Sequence, residues 1–337
     1  MNDWRQAAEG GPFVAVTVAS TEGSVPRDAG ATMLVGASHL SGTIGGGHLE
    51  LRAIDTARAM LAAGTQRGFE RFALGPSLGQ CCGGVVHLAF ELVAGEQAQL
   101  LAGLGRQDSW RVSAHDGAPD WVLFGGDAVR VAGTGEAPLF ARNRGTHMMQ
   151  EQDGRRWLVH HLEGPRAHLV LFGAGHVGTA LVRALAPLPC TITWVDEREE
   201  LFPADVPPNV MVEATDTPEA AVAQAPAGAS FLVMTHSHAL DQRLAEAILS
   251  RPDAGWFGLI GSKTKRVQFE RRLLARGIEQ ARIDAMACPI GMPGITGKEP
   301  AVIAASVCAQ LLAIWEAQHA GAAAATPAIR LVSAASS

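Results

Sequence analysis

At 337 residues the chain is roughly twice the length of an ordinary domain, which predicts two domains rather than one. Its 47% hydrophobic and 18% charged residues exclude a disordered chain, and a net charge of −6 gives no reason to expect nucleic acid or an acidic membrane surface as a partner. No uninterrupted apolar run approaches the roughly 20 residues needed to cross a bilayer, and the opening MNDWRQAAEGG lacks the regions of a secretory signal, so a soluble, cytoplasmic protein is expected.

Along the chain, β-rich runs come first: FVAVTVA at 13–19, the loop EGSVPRDAG, then ATMLV at 31–35. After GTIGGG an amphipathic helix is predicted over His48–Ala63, with Leu51, Ile54, Ala57 and Leu61 on its apolar face. FERFAL at 69–74 and VVHLAFELV at 85–93 read as further strands. Residues 108–165 change to short β-like pieces separated by Gly and Asp, which read as antiparallel hairpins and are grouped with the N-terminal region. Beyond EGPRA at 163–167, strand and helix patterns alternate: HLVLF, a helix from His176, TITWV, NVMVEA, helices near 217–225 and 240–250 with SFLVM between them, then WFGLI. That order predicts a doubly wound parallel sheet. A buried helix is expected over Glu299–Ala317, opened by Pro300, and a disordered Ala/Ser-rich tail after it. The fold class is therefore α/β: an N-terminal α+β domain over 1–165, a Rossmann-like domain over 166–318, and a tail over 319–337.

Several loops carry chemistry. Gly173-Ala-Gly175-His176-Val-Gly178 follows a strand and opens a helix, the context in which glycines let a pyrophosphate approach backbone amides. Asp196, 23 residues past Gly173, stands where a ribose-binding carboxylate is expected. His176 reads first as a solvent-facing residue of a helix start and only second as a ligand. Thr235-His236-Ser237-His238-Ala-Leu-Asp241 ends the fourth strand; it resembles the His-x-His of a binuclear zinc hydrolase, but the only later histidine is His319. The loops Gly258-Leu-Ile-Gly261-Ser262-Lys263-Thr-Lys265 and Gly291-Met-Pro-Gly294-Ile-Thr-Gly297-Lys298 each offer backbone amides and a lysine near a helix start, suited to an oxyanion or to plain helix capping. Those two loops hold all 3 lysines of the chain, whose other basic residues are arginines.

In the N-terminal half, Gly45-Gly46-Gly47-His48 feeds a helix and reads either as a tight turn or as an oxyanion cradle. Pro26-Arg27 presents a guanidinium fork that suits a carboxylate, phosphate or pterin edge, and reads equally as an ordinary turn with a surface arginine. Adjacent Cys81 and Cys82 in a glycine-rich loop are poor core material and are candidate soft-metal ligands or sulfur acceptors. Cys190 and Cys308 read as structural, and Cys288 is left open. The absence of Tyr removes a Tyr–Lys acid–base pair.

Taken in order, SVPRDAGATMLV, GTIGGGHLE, LGQCCGG, GAGHVG, THSHALD, GLIGSKTKR and CPIGMPGITGKEPAVIAAS resemble the XdhC/CoxI family, and most closely its xanthine dehydrogenase accessory branch. His48, where CoxI-like relatives carry Cys, favours that branch. The resemblance implies a homo-oligomer that is not an enzyme. It would bind molybdenum cofactor in its molybdopterin form, hold it while a cysteine desulfurase replaces an oxo ligand with sulfido, and deliver it to apo xanthine dehydrogenase. The expected contacts are Arg27, Gly45, Gly46, Gly47, His48, Gly173, Gly175, His176, Gly178, Asp196, His236, His238, Ser262, Lys263 and Lys298, with Cys81 and Cys82 near molybdenum. Two alternatives stay open: an NAD(P)-dependent oxidoreductase using Gly173 to Asp196, and a metallohydrolase using His236, His238 and Asp241.

Overall fold

A computed structural model describes residues 4–75, 83–104 and 107–325, with side chains to residue 320. The chain divides into two compact units, one ending at Gly164 and the other beginning at Pro165.

Unit 1 comprises α1 (Trp4–Glu9), β1 (Phe13–Glu22), β2 (Thr32–Gly36), β3 (Leu40–Gly42), α2 (Gly47–Ala63), β4 (Arg67–Ala73), β5 (Val85–Val93), α3 (Gly95–Gly103), β6 (Ser109–Ala114), β7 (Trp121–Gly125), β8 (Arg130–Thr134), β9 (His147–Gln150) and β10 (Arg156–Leu162). These form two antiparallel sheets, ordered β3-β2-β1-β5-β4 and β8-β7-β6-β10-β9. The first is covered on both faces, so β1 is buried at seven consecutive positions and reads as a continuous apolar run. On one face Val14, Val16, Val18 and Phe90 meet Leu49, Ala53, Ala57 and Met60 of α2. Ala57 is buried and Ile54 and Leu61 pack at the edge of the same cluster, as expected; Leu51 is the exception at 60% exposed, because the buried stripe runs through Leu49, Ala53, Ala57 and Met60.

The other face of the first sheet packs Phe13, Ala15, Leu34 and Val93 against Ala7 of α1 and Ala98 and Leu101 of α3, with a buried polar group beside them. Glu91 of β5, on the same strand face as Ala89 and Val93, pairs at 2.6 Å with Arg111 of β6, and both side chains are fully buried. Arg67 Nε lies 3.6 Å and His115 Nε2 3.9 Å from the same carboxylate. Burial alone would raise Glu91, but Arg111 and Arg67 bring it down to about 2. Nearby, His160 shares a 3.2 Å hydrogen bond with Thr32, and burial, then Arg111, push its imidazole down to about 4.

Unit 2 comprises β11 (Ala167–Phe172), α4 (His176–Leu185), β12 (Cys190–Asp196), β13 (Val210–Ala214), α5 (Glu219–Gln224), β14 (Ser230–Val233), α6 (His238–Ser250), β15 (Trp256–Leu259), α7 (Lys263–Ala275), α8 (Gln280–Asp284) and α9 (Pro300–Ala325). Its sheet is parallel throughout, ordered β13-β12-β11-β14-β15, a Rossmann-like arrangement. The order reverses between β11 and β14, so the carboxyl ends of those strands flank a crevice. One face of the sheet is covered by α5, α6 and α7 through residues such as Leu244, Ile248 and Phe269, the other by α4 and α9. Helix α9 continues eight residues beyond its expected end at Ala317. Over Pro300–Ala320 it is long and apolar enough to cross a membrane by length and composition. Ser306, Gln310 and Glu316 hid that stretch from a search for unbroken apolar runs. In unit 2, its Ala304, Val307, Leu311 and Trp315 pack with Leu171, Trp194 and Leu232.

Candidate functional site

In unit 1 the expected loops gather at one end of β1. Gly45, Gly46 and Gly47 take φ of 126°, 81° and 67°, a left-handed run closed to ordinary L-residues. A Cβ on Gly45 would stand 2.5 Å from the Pro26 ring, which packs the loop carrying Arg27 against the glycines. At Gly46 nothing lies within 4 Å of that position. The turn is held from below by Glu50, which accepts from the Ile44 amide at 2.9 Å and from the Thr43 hydroxyl. Arg27 and His48 are exposed beside this strip of backbone. Gly84 joins the same end: its amide donates to Ser24 O at 3.1 Å, and a Cβ there would meet the Glu22 and Ser24 carbonyls at 2.5 Å. Cys81 and Cys82, which precede it, lie outside the described residues.

In unit 2 the glycine loop splits into structural and open positions. A Cβ on Gly173 would lie 2.4 Å from Met234 O, and one on Gly178 only 2.2 Å from Gly173 O, so both are demanded by close packing. Nothing stands within 4 Å of a Cβ on Gly175, the exposed residue at the start of α4. The buried Trp194 indole donates to Gly173 O at 3.0 Å and fixes the loop. A small cleft at the strand ends is lined by Gly173, Asp196, Glu197, Thr235 and His236, with Phe172 and Leu240 behind them. Across its mouth His236 Nε2 lies 3.5 Å from Glu197, both side chains about half exposed. His176 and His238 are exposed at the first residues of α4 and α6.

Asp196 is not an open carboxylate. It accepts from the Ala174 amide at 2.7 Å, the Arg198 amide at 3.0 Å, and Arg198 Nε and Nη2 at 2.9 Å each. Burial opposes its charge, but the Arg198 fork and the two amides outweigh that and hold it below the usual carboxylate range.

Other expected groups serve the scaffold. Asp241, almost fully buried, accepts from Thr235 Oγ1 at 2.7 Å and from Lys265 Nζ at 2.7 Å, and Lys265 also donates to Ile260 O. This ties the end of β14 to the start of α7 and spends the carboxylate that a metallohydrolase would need. Among the described residues no group of three or more His, Cys, Asp or Glu is placed to hold a metal ion. Ser262 caps α7 by accepting from the Lys265 amide. In the loop before α9, Gly291 N donates to Gln310 and Met292 N to Ser306, so those two amides are not available to an oxyanion. Lys263 and Lys298 are exposed and, with Ser262, stand outside the cleft lining. The Cys288 thiol is buried and burial pushes it up, the opposite of a reactive thiolate.

Arg198 and Trp194 are the site residues that sequence patterns did not single out. An arginine two residues past a strand-end acid in WVDER is the signal that could have revealed the first.

Residues 169–311 match a family model described as the XdhC Rossmann domain, and residues 6–73 match one described as the XdhC and CoxI family. An uncharacterized protein of Escherichia coli (strain K12), YqeB, is 30% identical over 175 residues, 52% of this chain and 32% of that protein. The chain thus spans about a third of that relative's length. A solved structure described as a xanthine dehydrogenase from Bacillus halodurans matches with a TM-score of 0.73 and 20% identity, covering 94% of this chain and 97% of that one. At that identity the likeness is one of fold.

Proposed function

The chain belongs to the XdhC and CoxI family, and from that premise we propose that it is a molybdenum cofactor chaperone rather than an enzyme. It holds molybdopterin as cargo, keeps it for sulfuration by a cysteine desulfurase, and passes it to apo xanthine dehydrogenase as a homo-oligomer. The observation that carries this reading is the backbone strip Gly45–Gly47 beside Arg27. Molybdopterin combines a phosphate, a planar pterin and a soft dithiolene that holds the metal. Backbone and helix-start groups suit the phosphate, and a guanidinium fork suits the pterin edge. Cys81 and Cys82 would supply sulfur ligands near molybdenum. The glycine loop of unit 2, with Gly175 open, offers a second phosphate-compatible surface. The nicotinamide reading loses support from Asp196, whose acceptor positions are filled from within the chain.

The test is direct. Full-length protein mixed with molybdopterin, desalted and oxidised should yield about one fluorescent pterin per chain. Arg27→Ala should reduce retention about tenfold or more, in line with loss of a charge-assisted hydrogen bond. Replacing Cys81 and Cys82 with Ser should weaken sulfuration. Undiminished pterin retention by Arg27→Ala would overturn the assignment of the cradle.

A further inference from the structure

A carboxylate at the end of the second strand of a Rossmann sheet ordinarily accepts the two hydroxyls of an adenosine ribose. An ionised carboxylate has about four acceptor positions. In this chain Asp196 already has four donors: Oδ2 takes the Ala174 amide and Arg198 Nη2, and Oδ1 takes the Arg198 amide and Arg198 Nε. The Asp196 side chain is 4% exposed, so no further hydroxyl reaches it without displacing one of these. Two of the four bonds are a bidentate fork, the strongest arrangement available to a guanidinium. The neighbouring Glu197 lies 3.5 Å from His236 Nε2 across the mouth of the cleft.

We infer that Asp196 and Arg198 form a specificity lock that shuts the unit 2 crevice to the ribose diol of a dinucleotide. A ligand of the crevice must then be anchored by a group other than that diol. The exclusion stands on the hydrogen bonds alone. That the admitted ligand is a pterin monophosphate rests on the function proposed above.

The lock predicts a gain of function. Breaking the fork leaves Asp196 with its two amide donors and frees two acceptor positions for a diol. Titration calorimetry of the full chain with NADH should show binding in Arg198→Ala about 10- to 100-fold tighter than in the parent chain, the range expected for hydrogen bonds to a charged group. The double variant Asp196→Asn/Arg198→Ala should lose that gain, since an amide cannot accept both hydroxyls. Arg198→Lys, whose ammonium has no fork, should show a smaller gain and serves if the alanine variant does not fold. Parent-chain NADH binding as tight as in Arg198→Ala, or a gain that survives in the double variant, would overturn the lock. Molybdopterin retention is measured on the same proteins. A chain that retains no pterin yet gains NADH binding keeps the lock and removes the chaperone reading, whereas retention without the gain removes the lock alone.

Discussion

Replacing Glu91 with leucine leaves Arg111 charged, fully buried and without its 2.6 Å partner. Moving the carboxylate from 4.5 to about 2 on folding corresponds, at 1.36 kcal/mol per pH unit, to about 3 kcal/mol. Breaking a buried pair by removing one member costs a similar ~3–5 kcal/mol, because the other charge stays desolvated. For a unit of this size the melting temperature should fall by roughly 6–20 °C. Because the folded pKa is depressed, the contribution is present in full above 4.5 and is lost as pH falls through about 2, so the gap between parent and variant should close in acid. The paired substitution Glu91→Leu/Arg111→Leu should recover most of the loss, since two apolar side chains replace two desolvated charges. Hydrogen exchange resolves the effect by region: amides of β5 and β6 should lose protection in the single variant, while those of β11 and β14 keep theirs. A loss under 1 kcal/mol, or a double variant no more stable than the single one, would refute the view that an unpaired buried guanidinium sets the cost.

Two further outcomes test other parts of the fold. His160 is held neutral with its pKa lowered from 6.5 to about 4, so its contribution is whole above 6.5 and is lost as pH falls toward 4; urea midpoints of the parent chain should drop across that window, and those of His160→Gln should drop less. Gly178→Ala would put a Cβ 2.2 Å from Gly173 O and should destabilise unit 2 by about 2 kcal/mol or more, whereas Gly175→Ala, with open space around its Cβ, should unfold at the parent temperature.

The parallel half of the fold was legible because its signals agree. Strand-length apolar runs, intervening helices and a glycine loop at the first turn all point to one sheet order. In α2 the core-facing Ala57, with Ile54 and Leu61 at its edge, was legible too, but the exposure of Leu51 was not, because only packing against β1 decides which flank of the stripe turns inward. The buried polar group of unit 1 left a trace in the sequence: a glutamate within VVHLAFELV and an arginine within WRVSA, each a charge inside an otherwise buried strand. Their pairing across 20 residues is tertiary and has no local signature. For the candidate site, the sequence located the cleft through Gly173, Asp196 and His236, but it could not show that Asp196 is occupied. That depends on where the Arg198 side chain turns.

The placement of α9 bears on how unit 2 is assembled. All five strands of its sheet precede this helix in the chain, yet Leu171, Trp194 and Leu232 gain part of their cover from it. During synthesis the sheet can pair before one of its faces is fully closed, leaving apolar side chains open until residues beyond Pro300 emerge. A nascent chain stalled before that point carries a sticky surface, and rapid arrival of a single helix, rather than slow β pairing, then governs whether it escapes aggregation.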